Sequence, residues 1–166
     1  MFFHLNPPAM PLSDTATLHH SCFLVNDMEK SASALAKSLA VQWNLWTIEP
    51  KKCTLHGQEV SCSFRIALAS AGNASLELVT PVSGSSIYKE ALAKNGEGFH
   101  HICYSYDNPA KMREARQQLQ DSGHQLLQSA STEGAFDLCY FQLPEAGLVL
   151  ELLHLQNLPD PEKQIG

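Results

Sequence analysis

The sequence contains two similar stretches, LHHSCFLVND at residues 18–27 and FHHICYSYDN at residues 99–108. Aligning their His-His pairs sets His20 against His101, an offset of 81 residues (101 − 20). Self-similarity of this kind indicates two copies of one structural unit in a single chain.

A second pair of similar stretches supports the duplication. SLELV at residues 75–79 resembles VLELL at residues 149–153, which sets Glu77 against Glu151 at an offset of 74 residues (151 − 77). The two offsets differ by seven residues, which is the size of a loop insertion.

Each copy is predicted to fold as a strand, a helix and three further strands. Asp27 is a candidate N-cap for a helix over residues 28–41, and Asn108 is a candidate N-cap for a helix that begins at Pro109. A short helix over residues 86–95 joins the copies. The predicted strands cover residues 17–26, 42–49, 58–69 and 73–80 in the first copy, and residues 98–106, 124–129, 136–143 and 147–155 in the second.

This pattern predicts one domain with two flanking segments. The boundaries are an N-terminal arm at 1–15, a single domain at 16–157 (module one 16–82, linker helix 83–96, module two 97–157) and a C-terminal tail at 158–166.

Composition narrows the function classes. The net charge of −6 and the absence of a Lys/Arg cluster disfavour a nucleic-acid or anionic-membrane surface. No apolar run approaches the roughly 20 residues that span a bilayer. The five widely spaced cysteines suit reduced thiols, so we expect a cytoplasmic protein.

The repeated residues form a candidate metal site. Because side chains alternate along a strand, only one ring of each pair, 19–20 and 100–101, can point into a shared cleft, and the repeat does not choose between them. Glu77 and Glu151 lie between leucines, and a buried carboxylate needs a cation or hydrogen-bond donors. Two imidazoles and two carboxylates suit Zn, Ni, Co, Mn or Fe better than Ca or Mg. Four protein ligands on an octahedral ion would leave two positions for substrate or water.

The chain resembles the vicinal oxygen chelate superfamily, and within it the glyoxalase I and methylmalonyl-CoA epimerase branch. The resemblance extends over residues 16–156, and four motifs carry it: His20-x-x-x-x-Val25-x-Asp27, LELVTP at 76–81, GEGFHHI at 96–102 and LEL at 150–152.

The resemblance implies an α+β fold, in which two βαβββ modules form a curved, eight-stranded mixed sheet (an incomplete barrel) around a metal cleft. It also implies a ligand set. The family's His ligand lies seven residues before the residue that starts the helix, which selects His20 and His101, and the family's other two ligand positions fall on Glu77 and Glu151. Glu151 would be the catalytic base and Glu77 its counterpart across the metal.

The chain departs from the bacterial epimerases at one strand. Those enzymes place a second catalytic Glu in the third strand of the first module, whereas the corresponding stretch, residues 58–67, has Glu59 only at its start. Arg65 in that strand is predicted either to bind a substrate carboxylate or phosphate or to face solvent.

The expected function is a metal-dependent isomerase or lyase that acts through an enolate on a small α-oxo or acyl-thioester substrate. A divalent Zn, Ni, Co or Mn ion would be the cofactor, a small molecule the substrate, and a homodimer the assembly. An Fe(II) dioxygenase and a non-catalytic, resistance-type binding protein are the alternatives. The intact four-ligand set disfavours both.

Overall fold

The structure, a computed structural model, describes residues 16–166. The predicted N-terminal arm, residues 1–15, lies outside the described residues. The helices are α1 (Met28–Leu39), α2 (Ile87–Asn95) and α3 (Pro109–Asp121). The strands are β1 (Thr17–Leu24), β2 (Trp43–Ile48), β3 (Lys52–Leu55), β4 (Gln58–Glu59), β5 (Cys62–Ala71), β6 (Ala74–Gly84), β7 (Gly98–Ser105), β8 (Gln125–Thr132), β9 (Phe136–Leu143), β10 (Leu148–Leu155) and β11 (Lys163–Ile165). No helix in this part of the chain is long and apolar enough to cross a membrane.

The duplicated helices begin where the sequence predicts. The Asp27 carboxylate accepts a hydrogen bond from the backbone N–H of Lys30 at 3.0 Å, and the Asn108 side chain accepts one from the backbone N–H of Ala110 at 2.8 Å. Each cap satisfies an N–H group that has no partner inside its helix. Both N-cap predictions are therefore confirmed.

All described strands join one open mixed sheet in the order β11-β2-β5-β6-β1-β7-β10-β9-β8-β3-β4. At its centre β1 runs antiparallel to β7, and each is flanked by a parallel strand of its own module, β6 beside β1 and β10 beside β7. The duplication is thus visible as an approximate two-fold relation about the β1–β7 pair. The predicted α+β class and incomplete barrel are confirmed.

The strand count differs from the predicted eight. The two extra strands β3 and β4 form a hairpin that follows β2 in the chain, yet β3 pairs with β8 of the second module. The segment predicted as a tail, residues 158–166, contributes β11, which pairs antiparallel with β2 at the far edge of the sheet. Each addition crosses from one module to the other. β3 follows β2 of the first module but pairs with β8 of the second, and β11 follows β10 of the second module but pairs with β2 of the first.

Helices α1 and α3 lie on the face of the sheet opposite the candidate site, whereas α2 packs on the same face as the site through Ile87 and Tyr88. Met28, Ala32 and Ala36 of α1 pack with Trp43, Leu45 and Ala67, whereas the neighbouring positions Phe64 and Ile66 point to the other face. Strand alternation separates the two environments. The inner face of the sheet, which α1 and α3 leave uncovered, holds the cluster described next.

Candidate metal centre

The four predicted ligands lie on four adjacent strands. Glu77, His20, His101 and Glu151 belong to β6, β1, β7 and β10, which are consecutive in the sheet. The register places Cys22 opposite both Glu77 and His101, so His20, two residues away, shares their face. All four side chains are buried, at 6% exposure or less. The structure thus brings together the whole set that the repeat and the resemblance predict.

The four side chains converge through one atom each. Nε2 of His20 lies 3.1 Å from Oε2 of Glu77 and 3.0 Å from Oε2 of Glu151. Nε2 of His101 lies 3.0 Å from Oε2 of Glu151, 3.6 Å from Oε2 of Glu77 and 3.2 Å from Nε2 of His20. Within each His-His pair it is the second histidine, His20 or His101, whose Nε2 lies near both carboxylates.

These separations fit a shared divalent ion. Ligands at about 2.1 Å from a metal and at right angles to each other are about 3.0 Å apart, which matches most of the measured distances. The buried Oε2 of Glu151 lies 3.0 Å from Nε2 of both His20 and His101, and the four candidate ligand atoms lie within 4.8 Å of one another. Two imidazole nitrogens and two carboxylate oxygens form a donor set suited to Zn, Ni, Co or Mn. The residues present could therefore hold a divalent metal.

The first histidine of each pair supports the second. Nδ1 of His19 lies 2.8 Å from Nδ1 of His20, and Nδ1 of His100 lies 2.8 Å from Nδ1 of His101. Burial lowers the pKa of His100 to about 3, with the nearby His101 adding to the effect, so its ring is neutral. A His that presents Nε2 to a metal carries its hydrogen on Nδ1, and His101 can donate that hydrogen to His100. The repeated His-His sequence thus supplies both a candidate ligand and its orienting partner.

Burial and the neighbouring side chains shift the pKa values of the cluster in opposite directions. Burial lowers the pKa of His20, but the carboxylates of Glu77 and Glu151 outweigh burial and raise it to about 10. Burial raises the pKa of Glu151, but hydrogen bonds with His101 and His20 outweigh burial and hold that pKa below its usual range. Without a metal, His20 is therefore protonated at neutral pH, and an arriving ion must displace that proton.

Two buried tyrosines extend the site, and the sequence did not predict them. The Tyr140 hydroxyl donates to Oε1 of Glu151 at 3.1 Å, and it also hydrogen bonds to the Tyr88 hydroxyl. Tyr140 lies directly opposite Glu151 in the β9–β10 pair. Tyr140 lies two residues from Leu138 on a predicted strand, so strand alternation could have placed both on one face. No feature of the sequence indicates that Tyr88 of α2 packs against the site.

The structure does not bring Arg65 to the cluster. It lies between Phe64 and Ile66, whose side chains face the site, so strand alternation turns it to the outer face. There its guanidinium pairs with the Glu29 carboxylate of α1 at 2.9 Å. This placement goes against the predicted substrate-binding role and identifies Arg65 as a contact between sheet and helix.

A narrow cavity of about 50 Å³ opens above the cluster. We call it the apolar cavity, because most of its lining is aliphatic or aromatic. It is lined by Ile48, Phe64, Ile66, Leu68, Phe136, Leu138, Leu153, Leu155 and Leu158, and at the cluster end by His19, His20, Glu77, Tyr88, Tyr140 and Glu151. Candidate ligands at the base of an apolar cavity could meet a small molecule away from bulk water.

The fold and the site define a duplicated βαβββ protein with a candidate metal centre between its modules. The family model of the Glyoxalase/Bleomycin resistance protein/Dioxygenase superfamily matches residues 19–142, which is 124 of the 166 residues, and the chain belongs to this superfamily. A search of the curated proteins found no match.

Solved structures share the fold at low sequence identity. A hypothetical protein from Bacillus halodurans C-125 is 20% identical, with a TM-score of 0.60 over 87% of this chain and 98% of that protein. Methylmalonyl-CoA epimerase from Mycobacterium tuberculosis is 16% identical, with a TM-score of 0.59 over 93% and 95% of the two chains. A Streptomyces coelicolor methylmalonyl-CoA epimerase in complex with 2-nitronate-propionyl-CoA is 18% identical, with a TM-score of 0.61 over 89% and 99%. At these identities the likeness extends to the fold alone.

Proposed function

We propose that this protein is a metal-dependent isomerase or lyase that acts through an enolate on a small α-oxo or acyl-thioester substrate. The observation that carries the proposal is the convergence of His20, Glu77, His101 and Glu151 at 3.0–3.6 Å, where all but His101 also line the base of the apolar cavity. The resemblance of the sequence to the glyoxalase I and epimerase branch points to the same reaction class.

A divalent ion bound there would polarise a substrate carbonyl and stabilise the enolate left when the adjacent carbon loses a proton. Glu151 is the proposed base. Its carboxylate takes the proton and returns it, while the Tyr140 hydroxyl holds Oε1 in a fixed direction. Glu77 lies across the cluster and is the proposed counterpart. The apolar walls exclude water, which would otherwise compete for the proton.

The lining of the cavity disfavours an epimerase that carries a second base separate from the candidate metal ligands. On the β5 side the lining consists of Phe64, Ile66 and Leu68, and Glu77 and Glu151 are the only carboxylates among the described residues that line the cavity. An epimerase needs a proton donor on each side of the enolate. Here both candidate donors belong to the ligand set.

Metal analysis and proton exchange test the proposal. Protein purified without a His tag should take up one equivalent of Ni, Co, Zn or Mn. In D2O the loaded protein should exchange the α-proton of a suitable substrate, such as the methylglyoxal–glutathione adduct or methylmalonyl-CoA, as followed by NMR. A chain that binds none of these metals would overturn the proposal.

The Glu151→Gln variant tests the assignment of the base. It should lose roughly 10²–10⁴-fold in exchange rate, because general-base catalysis contributes about that much. Glu59→Gln is the matched control, since Glu59 is exposed on β4 and should leave the rate unchanged. An unchanged rate in Glu151→Gln would place the base elsewhere.

A further inference from the structure

We infer that the group of the ligand that enters the apolar cavity is small, apolar and uncharged. As a statement about the substrate, this inference rests on the proposed function. As a statement about binding, it rests on the apolar cavity alone. The chemistry of its walls, its charge and its size each restrict the substituent.

The two walls of the cavity are apolar. One wall comes from the first module, with Ile48 of β2 and Phe64, Ile66 and Leu68 of β5. The other comes from the second module, with lining residues from β9 and β10. Burial of an apolar group between such walls is favourable by roughly 25 cal/mol per Å² removed from water.

The described lining of the cavity offers no Lys or Arg to an anionic substituent. Within residues 16–166 the cavity has no Lys or Arg in its lining, and residues 1–15 contain neither residue type in their sequence. Arg65, the nearest basic residue along β5, is paired with Glu29 on the outer face. A carboxylate or phosphate placed between these walls would therefore be desolvated without a partner, which is strongly unfavourable.

Polar groups are confined to the cluster end of the cavity. The hydroxyls of Tyr88 and Tyr140 bond to each other, and Tyr140 also bonds to Glu151. His19 bonds to His20 through Nδ1. The polar end thus suits the chelating oxygens, and the opposite end offers only apolar contact.

The C-terminal segment borders the apolar cavity. After β10, residues 156–162 cross from the second module to β2 of the first, and Leu158 contributes its side chain to the cavity. The Trp46 indole N–H donates to the carbonyl of Pro159 at 2.8 Å, which holds the crossing in place. A volume of about 50 Å³ has room for roughly four water-sized groups, so a branched aliphatic substituent of about that size fits.

Hydroxamates test this inference, because they chelate a metal through two oxygens without needing any reaction. Calorimetry on the full-length, Ni-loaded protein would compare 4-methylpentanohydroxamate with succinic monohydroxamate, in which a carboxylate replaces the isopropyl group at similar size. We expect the apolar probe to bind at least tenfold more tightly. Acetohydroxamate, which lacks the branched group, should bind more weakly than the apolar probe.

A substitution in the cavity wall provides a second test. Leu158→Arg should reverse or abolish the preference, because it places a cation at the apolar end. Leu39→Arg is the matched control, since Leu39 is exposed on α1 and lies outside the cavity lining. Equal or tighter binding of the carboxylate probe by the unaltered protein, or failure of all three probes to bind, would overturn the inference. Probe selectivity without any proton exchange would instead refute the proposed function alone.

Discussion

Binding of a metal at the four-residue cluster should release about one proton at pH 7.5. The perturbation is the addition of Ni²⁺ to metal-free protein. In the metal-free state the carboxylates of Glu77 and Glu151 outweigh burial and raise the pKa of His20 to about 10. A metal requires the neutral ring, so the proton must leave when the ion binds.

The size of the release distinguishes this cluster from an ordinary histidine site. With a pKa of about 10, His20 is almost fully protonated at pH 7.5. A histidine with the unperturbed pKa of about 6.5 would be only about one-tenth protonated at that pH. The apparent affinity should consequently rise about tenfold per pH unit between pH 7 and pH 9, where an unperturbed site would be nearly independent of pH.

Titration calorimetry in two buffers of different ionisation enthalpy measures the number of protons released. The His56→Gln variant is the control, because His56 is an exposed residue paired with Glu90 and should not change the count. Glu77→Gln should lower the release, since it removes the largest of the effects that raise the pKa of His20. Release of less than about 0.2 proton by the unaltered protein would refute the electrostatic reasoning.

Three further predictions concern His20, Tyr140 and Gly84. The pKa of His20 in the folded, metal-free protein lies above the unfolded value of 6.5. Its contribution to stability should therefore be complete below pH 6.5 and be lost as the pH rises towards 10. Urea unfolding of the His20→Gln variant should not show this fall in the free energy of unfolding with pH. Tyr140→Phe should lower the free energy of unfolding by about 1–3 kcal/mol in chemical denaturation, because Oε1 of Glu151 loses its donor, whereas Tyr104→Phe on the outer face should have little effect. Gly84→Ala should destabilise the fold severely, since its φ is +72° and a Cβ would collide with the Ser61 carbonyl, whereas Gly72→Ala, with φ of +71° and open space around it, should cost only about 1 kcal/mol in thermal unfolding.

The duplicated core of the fold was predictable because each repeated feature has a local physical cause. The caps at Asp27 and Asn108 are set by their own side chains, and the alternation of the long strands is visible in the sequence. The strands that were missed are short. β3 has four residues and β11 has three, so neither carries a clear periodic signal, and each pairs with a strand that is distant in the chain.

The candidate ligands were predictable for a different reason, namely that duplication makes residues of the same type recur at related positions. Nothing recurs for Tyr88, which comes from the linking helix, and its packing against Tyr140 depends on how that helix settles on the sheet. The sequence left Arg65 open between a substrate-binding role and an outward position, and the structure pairs it with Glu29 on the outer face. Alternation shows that Arg65 and Phe64 face opposite sides, but only the assembled sheet shows which side is the inner one.

The duplication leaves the two glutamates in different chemical surroundings. In the second module Glu151 lies opposite Tyr140, whereas in the first module Glu77 lies opposite Leu68. The Tyr140 phenol fixes one oxygen of Glu151, while Glu77 borders the apolar wall of β5. Two carboxylates that began as copies are therefore suited to different tasks, and this asymmetry is the structural reason to assign proton transfer to Glu151 rather than to Glu77.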